Sequence, residues 1–485
     1  ITLQSLSIAG AIAPGARPRI NGLLTVRNGR VTLGPQYPPI EMLSVSLVVD
    51  SDHLRMTEVR AQCGPIRLTG KDLLITQWAT DPHLDVKISG TAPVAGLIEI
   101  VRRLDEFPLL RDLMTHVEQP TGDVEIIAHV RGRPLSGQPL ALVDADLRLQ
   151  RGGGRSALWP VPARQVEAHV TATPTLVAIE HVDGWLGPAA FQAHGSVTMA
   201  DGKAYSNVTL AMSTDASEVQ SWWVQQGDEA FIQDMNGTIR LRAAVTGLIG
   251  APRIKGRIDL AQAGFRLQNW FTKPPQAPAA IDFEGQLSQG NRLVVRHVGI
   301  GFPPVTITGS GAIELDGERE FSAHVSSGRI AVGRLPKGIV LGPVRAGTLD
   351  ATLDVEGRMK DRASWRASGE VRFDEGTIKI EDFDEPIRDA FVTLRFDQDR
   401  IHIPRMAFHV GASDLRISGS ITHWADHPRA RLVVESSQID LAAFGGSQPR
   451  KPRAARQRSS DHFWSDATLN AFLFADHVFY KKFLL

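Results

Sequence analysis

The sequence predicts a mostly β protein in which tandem repeats of about 110 residues form an elongated curled sheet or groove of antiparallel strands. Three segments carry the first observation. A glycine opens each one, apolar residues alternate along it, and a second glycine closes it ten residues later; the segments are Thr121–Gly132, Asn236–Gly247 and Ala346–Gly357. Their opening glycines lie 115 and then 110 residues apart. A strand that ends on glycine recurs at similar intervals, at Gly70, Gly195, Gly309 and Gly419. Such recurrence is typical of an array, which offers a long surface rather than one catalytic cleft.

The elements within one repeat follow from local sequence. An X-Gly pair between alternating apolar runs favours a hairpin, which predicts turns at Asn28–Gly29, Ala263–Gly264 and Glu375–Gly376. A connection that contains proline follows each turn, because proline removes a backbone donor and ends a strand. Two further strands come next, as in Leu43–Val49 with Leu54–Val59.

Helical signals are scarce and fall at one place in the repeat. Val94–Glu118 has apolar residues at helical spacing, interrupted by Pro108. Asp215–Gln226 offers a short helical turn capped by aspartate or serine. The third repeat has too much glycine and proline at this place for a helix. We therefore expect short helices at the seams between repeats.

The period divides the chain. Residues 447–460 interrupt it with two prolines and five basic residues, which is typical of a flexible basic linker; a basic arm that contacts anionic lipid or nucleic acid is the alternative. The first residues resemble the end of a repeat, so we expect a middle piece of a longer protein, with any anchor or export signal outside it. The predicted divisions are 1–20 (end of a preceding repeat), 21–132, 133–247, 248–357 and 358–446 (repeats one to four), 447–460 (linker) and 461–485 (start of a further repeat).

Composition argues against several classes of function. The 53 basic and 53 acidic residues balance, so no global charge attracts nucleic acid or an anionic membrane. The single cysteine excludes an internal disulfide and a multi-cysteine metal site. No apolar run approaches the roughly 18–20 residues of a membrane helix.

No motif indicates catalysis. The glycine pairs Gly299–Gly301 and Gly309–Gly311 lack the third glycine and the following helix of a nucleotide-binding loop. His423 and His427 have a spacing that metal ligands use on a helix, but Pro428 follows at once and a solvated turn is the expected structure. The sequence therefore predicts a protein that is not an enzyme, with no catalytic residue, metal or cofactor.

Alternation places side chains of opposite character on the two faces of a strand. Arg67 and Thr69, for example, alternate with Ile66 and Leu68. A sheet with one apolar face covers that face by folding over as a sandwich, by closing as a barrel, or by curling into a gutter that lipid chains fill. Alternation alone leaves these three open.

The X-Gly pairs, the Pro-Ile connections at Pro38–Ile40 and Glu385–Ile387, and the RLTG and RISG endings resemble the AsmA-like superfamily. The tail from Thr468 is similar to the start of that family's carboxyl-terminal repeats. These bacterial envelope proteins include bridge-like lipid transporters of the TamB and YhdP type. The resemblance covers nearly the whole chain outside the linker and lies in pattern, not in a catalytic signature. It implies a periplasmic β-groove that carries phospholipid between inner and outer membranes, held at the inner membrane by an anchor absent from this chain.

The physics suits such a groove, because exposing a lipid chain to water costs about 0.8 kcal/mol per CH₂. We therefore expect a non-enzymatic lipid-transfer module whose partners are phospholipids and the two membranes, with envelope proteins as further candidates and nucleic acid excluded. The rival is a structural or protein-interaction β-repeat scaffold of the envelope, whose apolar face is a sealed core. The expected lipid-binding residues belong to the apolar phase of the strands and are Ile66, Leu68, Ile126, Ala128, Ile239, Leu241, Ala243, Val305, Ile307, Leu353, Val355, Leu415 and Ile417.

Overall fold

The chain is mostly β-strand, as the alternation predicts. A computed structural model describes residues 2–9, 19–32, 38–71, 73–77, 81–103, 117–133, 141–156, 159–225, 232–267, 271–288, 292–303, 305–315, 318–359, 361–380, 383, 385–425, 427–444, 468–480 and 483–484. The predicted linker, 447–460, and the connection 10–18 lie outside the described residues.

Two α-helices and a long series of strands make up the described residues. The helices are α1 Val94–Arg103 and α2 Ala216–Gln225. The strands are β1 Thr2–Ala9, β2 Arg19–Val31, β3 Ile40–Val49, β4 His53–Cys63, β5 Ile66–Gly70, β6 Leu73–Thr76, β7 His83–Pro93, β8 Val117–Gly132, β9 Ala141–Ser156, β10 Trp159–Ala172, β11 Leu176–Leu186, β12 Ala189–Ala200, β13 Lys203–Asp215, β14 Ile232–Asn236, β15 Thr238–Leu248, β16 Arg253–Asp259, β17 Gly264–Leu267, β18 Phe271–Lys273, β19 Ala280–Ser288, β20 Arg292–Phe302, β21 Val305–Glu314, β22 Glu320–Ser326, β23 Ile330–Ala331, β24 Val344–Arg358, β25 Asp361–Ile378, β26 Ile387–Gln398, β27 Arg400–Val410, β28 Ser413–Thr422, β29 Arg429–Asp440, β30 Thr468–Tyr480 and β31 Phe483–Leu484.

The chain forms two compact units. Unit 1 comprises Ile1–Met212 with Val245–Ile249, and unit 2 comprises Ser213–Ala244 with Gly250–Leu485. In unit 1, consecutive strands pair antiparallel from β1 to β4. The short strands β5 and β6 both bridge β4 to β7. The antiparallel order then continues from β7 through to β12.

Unit 2 repeats this arrangement with one difference in direction. Antiparallel pairing runs through β16, β19, β20, β21, β22 and then β24 to β29. Strand β30 pairs parallel to β29, so the expectation of a purely antiparallel sheet is wrong and the sheet is mixed. Strands β14, β17 and β18 form a separate small sheet.

The helices begin where the sequence places them. Asp215 caps α2, since its Oδ1 accepts hydrogen bonds from the backbone N–H and the hydroxyl of Ser217. Helix α1 covers the first part of the predicted helix, residues 104–116 lie outside the described ones, and Val117 and Glu118 already belong to strand β8. The helix prediction is therefore wrong at its last two residues. At the matching place of the predicted third repeat, Val332–Arg334 forms a 3₁₀ turn.

The predicted hairpin turns take a different form. Asn28 and Glu375 have a left-handed φ of 53°, yet β2 and β25 run through them without reversing. The neighbouring strand stays paired around each site, so the extra residue is a β-bulge. Ala263 ends a turn, in which its N–H donates to the carbonyl oxygen of Leu260, but the following β17 pairs with β14 and β18 instead of β16. The hairpin prediction is wrong at these sites, because a left-handed residue before glycine also fits a bulge within a long strand.

The same bulge occurs in β9, where Arg151 has a φ of 51° before Gly152. Two of the three opening glycines of the sequence motif face these bulges. A Cβ on Gly122 would lie 2.7 Å from the Cα of Gly152, and a Cβ on Gly347 would lie 2.9 Å from the Cα of Gly376. These two have a positive φ, 103° and 126°. In these two copies the motif marks the point where a strand passes close to the bulge of the next strand.

Fully buried apolar side chains occur in both units, for example Val45, Val86 and Ala92 in unit 1, and two clusters of them form in unit 2. One cluster of unit 2 packs the start of α2 against the small sheet and the ends of β16 and β20; its members are Ala216, Leu260, Ala263, Ala277, Ala279, Phe302 and Ile339. A second surrounds Val410 and comprises Ile387, Ala390, Val410 and Ala443. Between these clusters, large apolar side chains such as Ile307, Leu353 and Val355 are half-buried.

Candidate functional site

The strands of unit 1 bring apolar side chains into continuous rows. Residues directly opposite on paired strands share one face of a sheet, so the strand register traces each row. One row crosses seven strands, from β5 to β12 without β6, through Leu68, Gly90, Ile126, Leu147, Val170, Ile179 and Gly195. Parallel to it runs a second row through Ala92, Val124, Leu149, Ala168, Val182 and Ala193. We call this surface the apolar face of unit 1.

Unit 2 has an apolar face of the same kind. Its longest row crosses ten strands, from β20 to β30 without β23, through Val298, Gly309, Val325, Leu353, Gly369, Phe396, Ile401, Ile421, Ala430 and Leu469. A neighbouring row joins Val392, Met406, Ile417, Val434 and Leu473. At about 4.8 Å per strand, ten strands extend a row over roughly 43 Å along the sheet.

Ten of the thirteen expected lipid-binding residues lie on these faces. In unit 1, Ile66, Leu68, Ile126 and Ala128 share one face. In unit 2 the shared face carries Val305, Ile307, Leu353, Val355, Leu415 and Ile417. Ile239 packs against the cluster around Phe302, and Leu241 and Ala243 follow on the same phase of β15.

Burial separates the two phases of each strand. Most of the expected residues are half-buried, whereas their sequence neighbours Arg67, Asp354 and Arg416 are exposed. Three expected residues are buried instead: Ala243, Val305 and Leu415, each 8% exposed. These three are covered by neighbouring residues, and the half-buried residues leave part of their apolar surface accessible.

Glycines occupy positions in the rows where two neighbouring strands approach each other closely. Gly369 has a φ of 128°, and a Cβ there would lie 2.1 Å from the carbonyl oxygen of Thr352 on the neighbouring strand. Gly195 has the same geometry against the carbonyl oxygen of Asn207, also at 2.1 Å. Only glycine fits such close approaches. Each leaves a shallow step between the larger side chains of its row.

The opposite face of unit 1 is polar and held by ion pairs. The His129 ring lies between two carboxylates, with Nε2 2.6 Å from Asp85 Oδ1 and Nδ1 3.1 Å from Asp144 Oδ2. The hydrogen bond with Asp85, and then that with Asp144, raises the pKa of His129. On the next strands, His169 Nε2 lies 3.1 Å from Asp146 Oδ2. These contacts join strands β7 to β10 on the side away from the apolar rows.

Among the described carboxylates of unit 2, Asp414 has a strongly shifted pKa. Burial opposes ionisation of Asp414, but its carboxylate accepts hydrogen bonds from the backbone of Gln438, from Ser437 and from the Ser436 hydroxyl, which together lower its pKa to about 2. The contacts tie the start of β28 to residues 436–438 of β29. These hydrogen bonds account for the lowered pKa of Asp414, and they bring no reactive group close to its carboxylate.

A cavity of about 430 Å³ opens beside the β25 bulge, and its lining is Arg329, Thr348, Asp374, Glu375, Asp389 and Phe391. Thr348 pairs with Asp374, and the adjacent pair, Leu349 with Phe373, belongs to the apolar face. Because side chains alternate along a strand, the cavity lies on the polar face. Its carboxylates make it too polar for an acyl chain. Within the described part of the chain, no group of three or more potential ligand residues is placed to hold a metal ion. His423 lies in a turn after β28, with Nε2 3.8 Å from Asp399 Oδ2.

Sequence reasoning missed much of the apolar face. Leu147, Val170 and Ile179 complete the row of Ile126, and Val298 and Phe396 complete that of Leu353. The alternation of Leu147 with Leu149 was the available signal in β9. What the sequence lacked was the register that joins one strand to the next.

Comparisons with family models, with curated proteins and with solved structures find no match to this chain. Among the helices that the structure describes, none has both the length and the apolar character needed to cross a membrane.

Proposed function

We propose that this chain is a non-enzymatic lipid-transfer module, and that phospholipid acyl chains lie along its apolar faces on their way between the inner and outer membranes of a bacterial envelope. The periplasmic location and the two membranes as partners come from the resemblance to AsmA-like proteins. The acyl-chain ligand is argued from the surface itself.

The observation that carries the proposal is the unbroken apolar row within each unit. A row of Leu, Ile, Val, Phe and Gly side chains offers no directional polar contact, so it binds a methylene chain at any point along its length. Each methylene moved from water to such a surface gains about 0.8 kcal/mol. A ligand that must slide requires this uniformity, since a strong local contact would hold it in place.

Ile126, Leu353 and Ile417 are half-buried, which favours an accessible apolar surface at these positions over a sealed core. Ala92, Val124 and Ile401 of the same rows are buried, so the half-buried members supply the accessible part of each row. The recurring bulges of β2, β9 and β25 support the tandem repeats on which a continuous groove depends.

Site-specific photo-crosslinking tests the proposal. A photoreactive residue at position 353 or 417 should capture phospholipid in bacterial cells, because Leu353 and Ile417 lie on the apolar face. The neighbouring positions of Asp354 and Arg416 are matched controls on the same strands and should capture none. Capture from the control positions alone would refute the proposal.

Native mass spectrometry of the gently purified protein provides a second measurement. Retained phospholipid is expected for an open face. A protein that carries no lipid, and that captures only proteins at position 353, would indicate the scaffold instead.

A further inference from the structure

The apolar face of unit 2 has two unlike margins. Its antiparallel strands, β16, β19 to β22 and β24 to β29, begin and end at the same two sides. Along one side, consecutive strands are separated by one to six residues; one residue separates β26 from β27, and six separate β28 from β29. We call this side the hairpin margin. The opposite side also carries longer connections, which include the small sheet of β14, β17 and β18 and the 3₁₀ turn Leu441–Ala443.

The small sheet and helix α2 lie over the apolar phase of the strands, not only beside it. Phe302 has the same phase on β20 as Val298, a member of the longest apolar row. The ring centroids of Phe302 and of Phe271 in β18 are 5.3 Å apart. Ala216, the first residue of α2, belongs to the same buried cluster as Phe302. These elements therefore cover the apolar face where β20 ends.

The 3₁₀ turn covers the same margin further along the sheet. Its Ala443 belongs to the buried cluster around Val410, and Phe408 of the apolar phase packs against that cluster. Phe408 pairs with Leu415 on β28, which is 8% exposed. We call α2, β14, β17, β18 and Leu441–Ala443 the roof, and the side that they cover the roofed margin.

Strand β28 shows how exposure changes from one margin to the other. On its apolar phase, Leu415 is buried at the roofed margin, whereas Ile417 and Ile421 are half-buried. Ile401, which pairs with Ile421, is buried as well, but it belongs to neither of the clusters that the roof completes. The apolar phase of β28 is therefore accessible from Ile417 to the hairpin margin.

The two margins also differ in the charges that they offer. Arg358 and Asp361 flank the connection from β24 to β25 at the hairpin margin, where both are partly exposed. The clusters under the roof consist of apolar side chains. Lys273 of β18 is 1% exposed within the roof, but its Nζ donates hydrogen bonds to the carbonyl oxygens of Ala263 and Pro274. A phosphate therefore meets water at the hairpin margin and a closely packed apolar interior under the roof.

We propose that a phospholipid held by unit 2 lies along the strands in one orientation, with the ends of its acyl chains towards the roof and its headgroup beyond the hairpin margin. This inference rests on the proposed function for the presence of the phospholipid, and it adds the direction in which the lipid lies. A headgroup phosphate under the roof would be a buried charge without a partner, which is strongly unfavourable. At the hairpin margin the same phosphate stays hydrated.

The length of the accessible strand agrees with this orientation. Ile421 lies six residues beyond Leu415, a span of roughly 20 Å at about 3.4 Å per residue. The acyl chains of one leaflet fill half of the roughly 30 Å hydrocarbon core of a bilayer, which is about 15 Å. A headgroup beyond Ile421 therefore places the chain ends close to Leu415, where the roof begins.

Two photoreactive phospholipids test the orientation on the unaltered full chain. One carries a diazirine in the headgroup and the other carries it at the last carbon of an acyl chain; mass spectrometry identifies the labelled peptides after irradiation. The headgroup probe should label residues of the hairpin margin, such as 397–401 and 421–425. The chain-end probe should label residues near the roof, such as 406–417 and 441–444. Labelling of the same residues by both probes, or an exchange of the two sites, would overturn the orientation and leave lipid binding intact, whereas no labelling by either probe would overturn the proposed function and this inference with it.

A matched pair of variants on β28 provides an independent measurement. Ile417 and Ile421 lie on the same face, four residues and roughly 13 Å apart. Ile417→Lys should weaken binding of a fluorescent phospholipid at least about tenfold, because its ammonium lies among acyl chains. Ile421→Lys should stay within about threefold of the unaltered chain, because a lysine there extends its ammonium to the level of the headgroup. Circular dichroism checks that both variants are folded, and equal losses or a larger loss from Ile421→Lys would contradict the orientation.

Discussion

Ile126 and Ile127 are adjacent isoleucines of β8 that face opposite sides of the sheet, and they offer a matched pair for the proposed lipid surface. Ile126 is half-buried in the apolar row between Gly90 and Leu147, whereas Ile127 is 47% exposed on the polar face. Replacing either with asparagine makes the same chemical change one residue apart. Asparagine is preferable to aspartate because Ile127 stands opposite Asp146, and a new carboxylate there would add repulsion.

The expected difference follows from the two environments. An amide at position 126 would press an unpaired polar group against an acyl chain, which costs about 1–3 kcal/mol. That range weakens lipid binding roughly 5- to 150-fold, since each 1.4 kcal/mol is a factor of ten. At position 127 the amide meets water, so lipid binding should stay within about twofold of the unaltered chain.

Titration with a fluorescent phospholipid measures the affinity, and transfer of the same lipid between donor and acceptor vesicles measures the consequence. Both variants place a poor strand former in β8, so their losses of stability should be similar. Thermal unfolding of the two checks this. The comparison of Ile126→Asn with Ile127→Asn then isolates the effect of the face.

Equal losses of affinity from the two variants would refute the assignment of faces to function. A larger loss from Ile127→Asn would indicate that lipid lies on the polar side. Unchanged affinity in both would place the ligand elsewhere than the row through Ile126.

Three further predictions concern stability. Gly369→Ala should lower the free energy of unfolding by at least about 1–3 kcal/mol, because the residue has a φ of 128° and the new Cβ would lie 2.1 Å from a carbonyl oxygen. Urea titration measures this loss. Gly333→Ala is the control, since a Cβ at position 333 would have no other atom within 4 Å. Asp85 and Asp144 raise the pKa of His129, so the stability that its charge provides is complete below the unfolded pKa of about 6.5 and is lost as pH rises through the folded pKa. His129→Asn should therefore lower the Tm in mild acid and change it little in alkali. For Asp414 the sign is opposite: its pKa is lowered to about 2, so the destabilisation caused by Asp414→Asn should be full near neutral pH and should shrink as pH falls towards that value.

The strands and the face of each residue were predictable because both follow from a period of two along one segment. Leu43–Val49 lies within β3, and Ile66 and Leu68 lie on the opposite side from Arg67. Helix α2 was predictable from a local cap, since Asp215 bonds to Ser217 two residues away. Each of these features depends on a few consecutive residues.

The bulges show where local reasoning fails. A left-handed residue before glycine fits a hairpin turn and a bulge equally well, and the partner strand decides between them. At Gly376 that partner is Ala390 in β26, which holds β25 extended through the bulge. The same limit applies to the apolar rows, because Ile126 and Val170 are joined only through the register of β9.

The direction of β30 depends on the same long-range information, with one local clue. Alternation is the same whether a strand runs up or down, so the pattern of Leu469 and Leu473 carries no signal for a parallel pair. The clue is length: 27 residues separate Asp440 from Thr468, whereas antiparallel neighbours are usually joined by two to five and a parallel pair needs a dozen or more. Reversing the strand leaves its two faces unchanged, because side chains alternate in either direction. For this reason the apolar row of unit 2 continues from Ala430 to Leu469 across the parallel pair, and a surface that binds a uniform chain tolerates a change of strand direction that a site built from directional contacts would not.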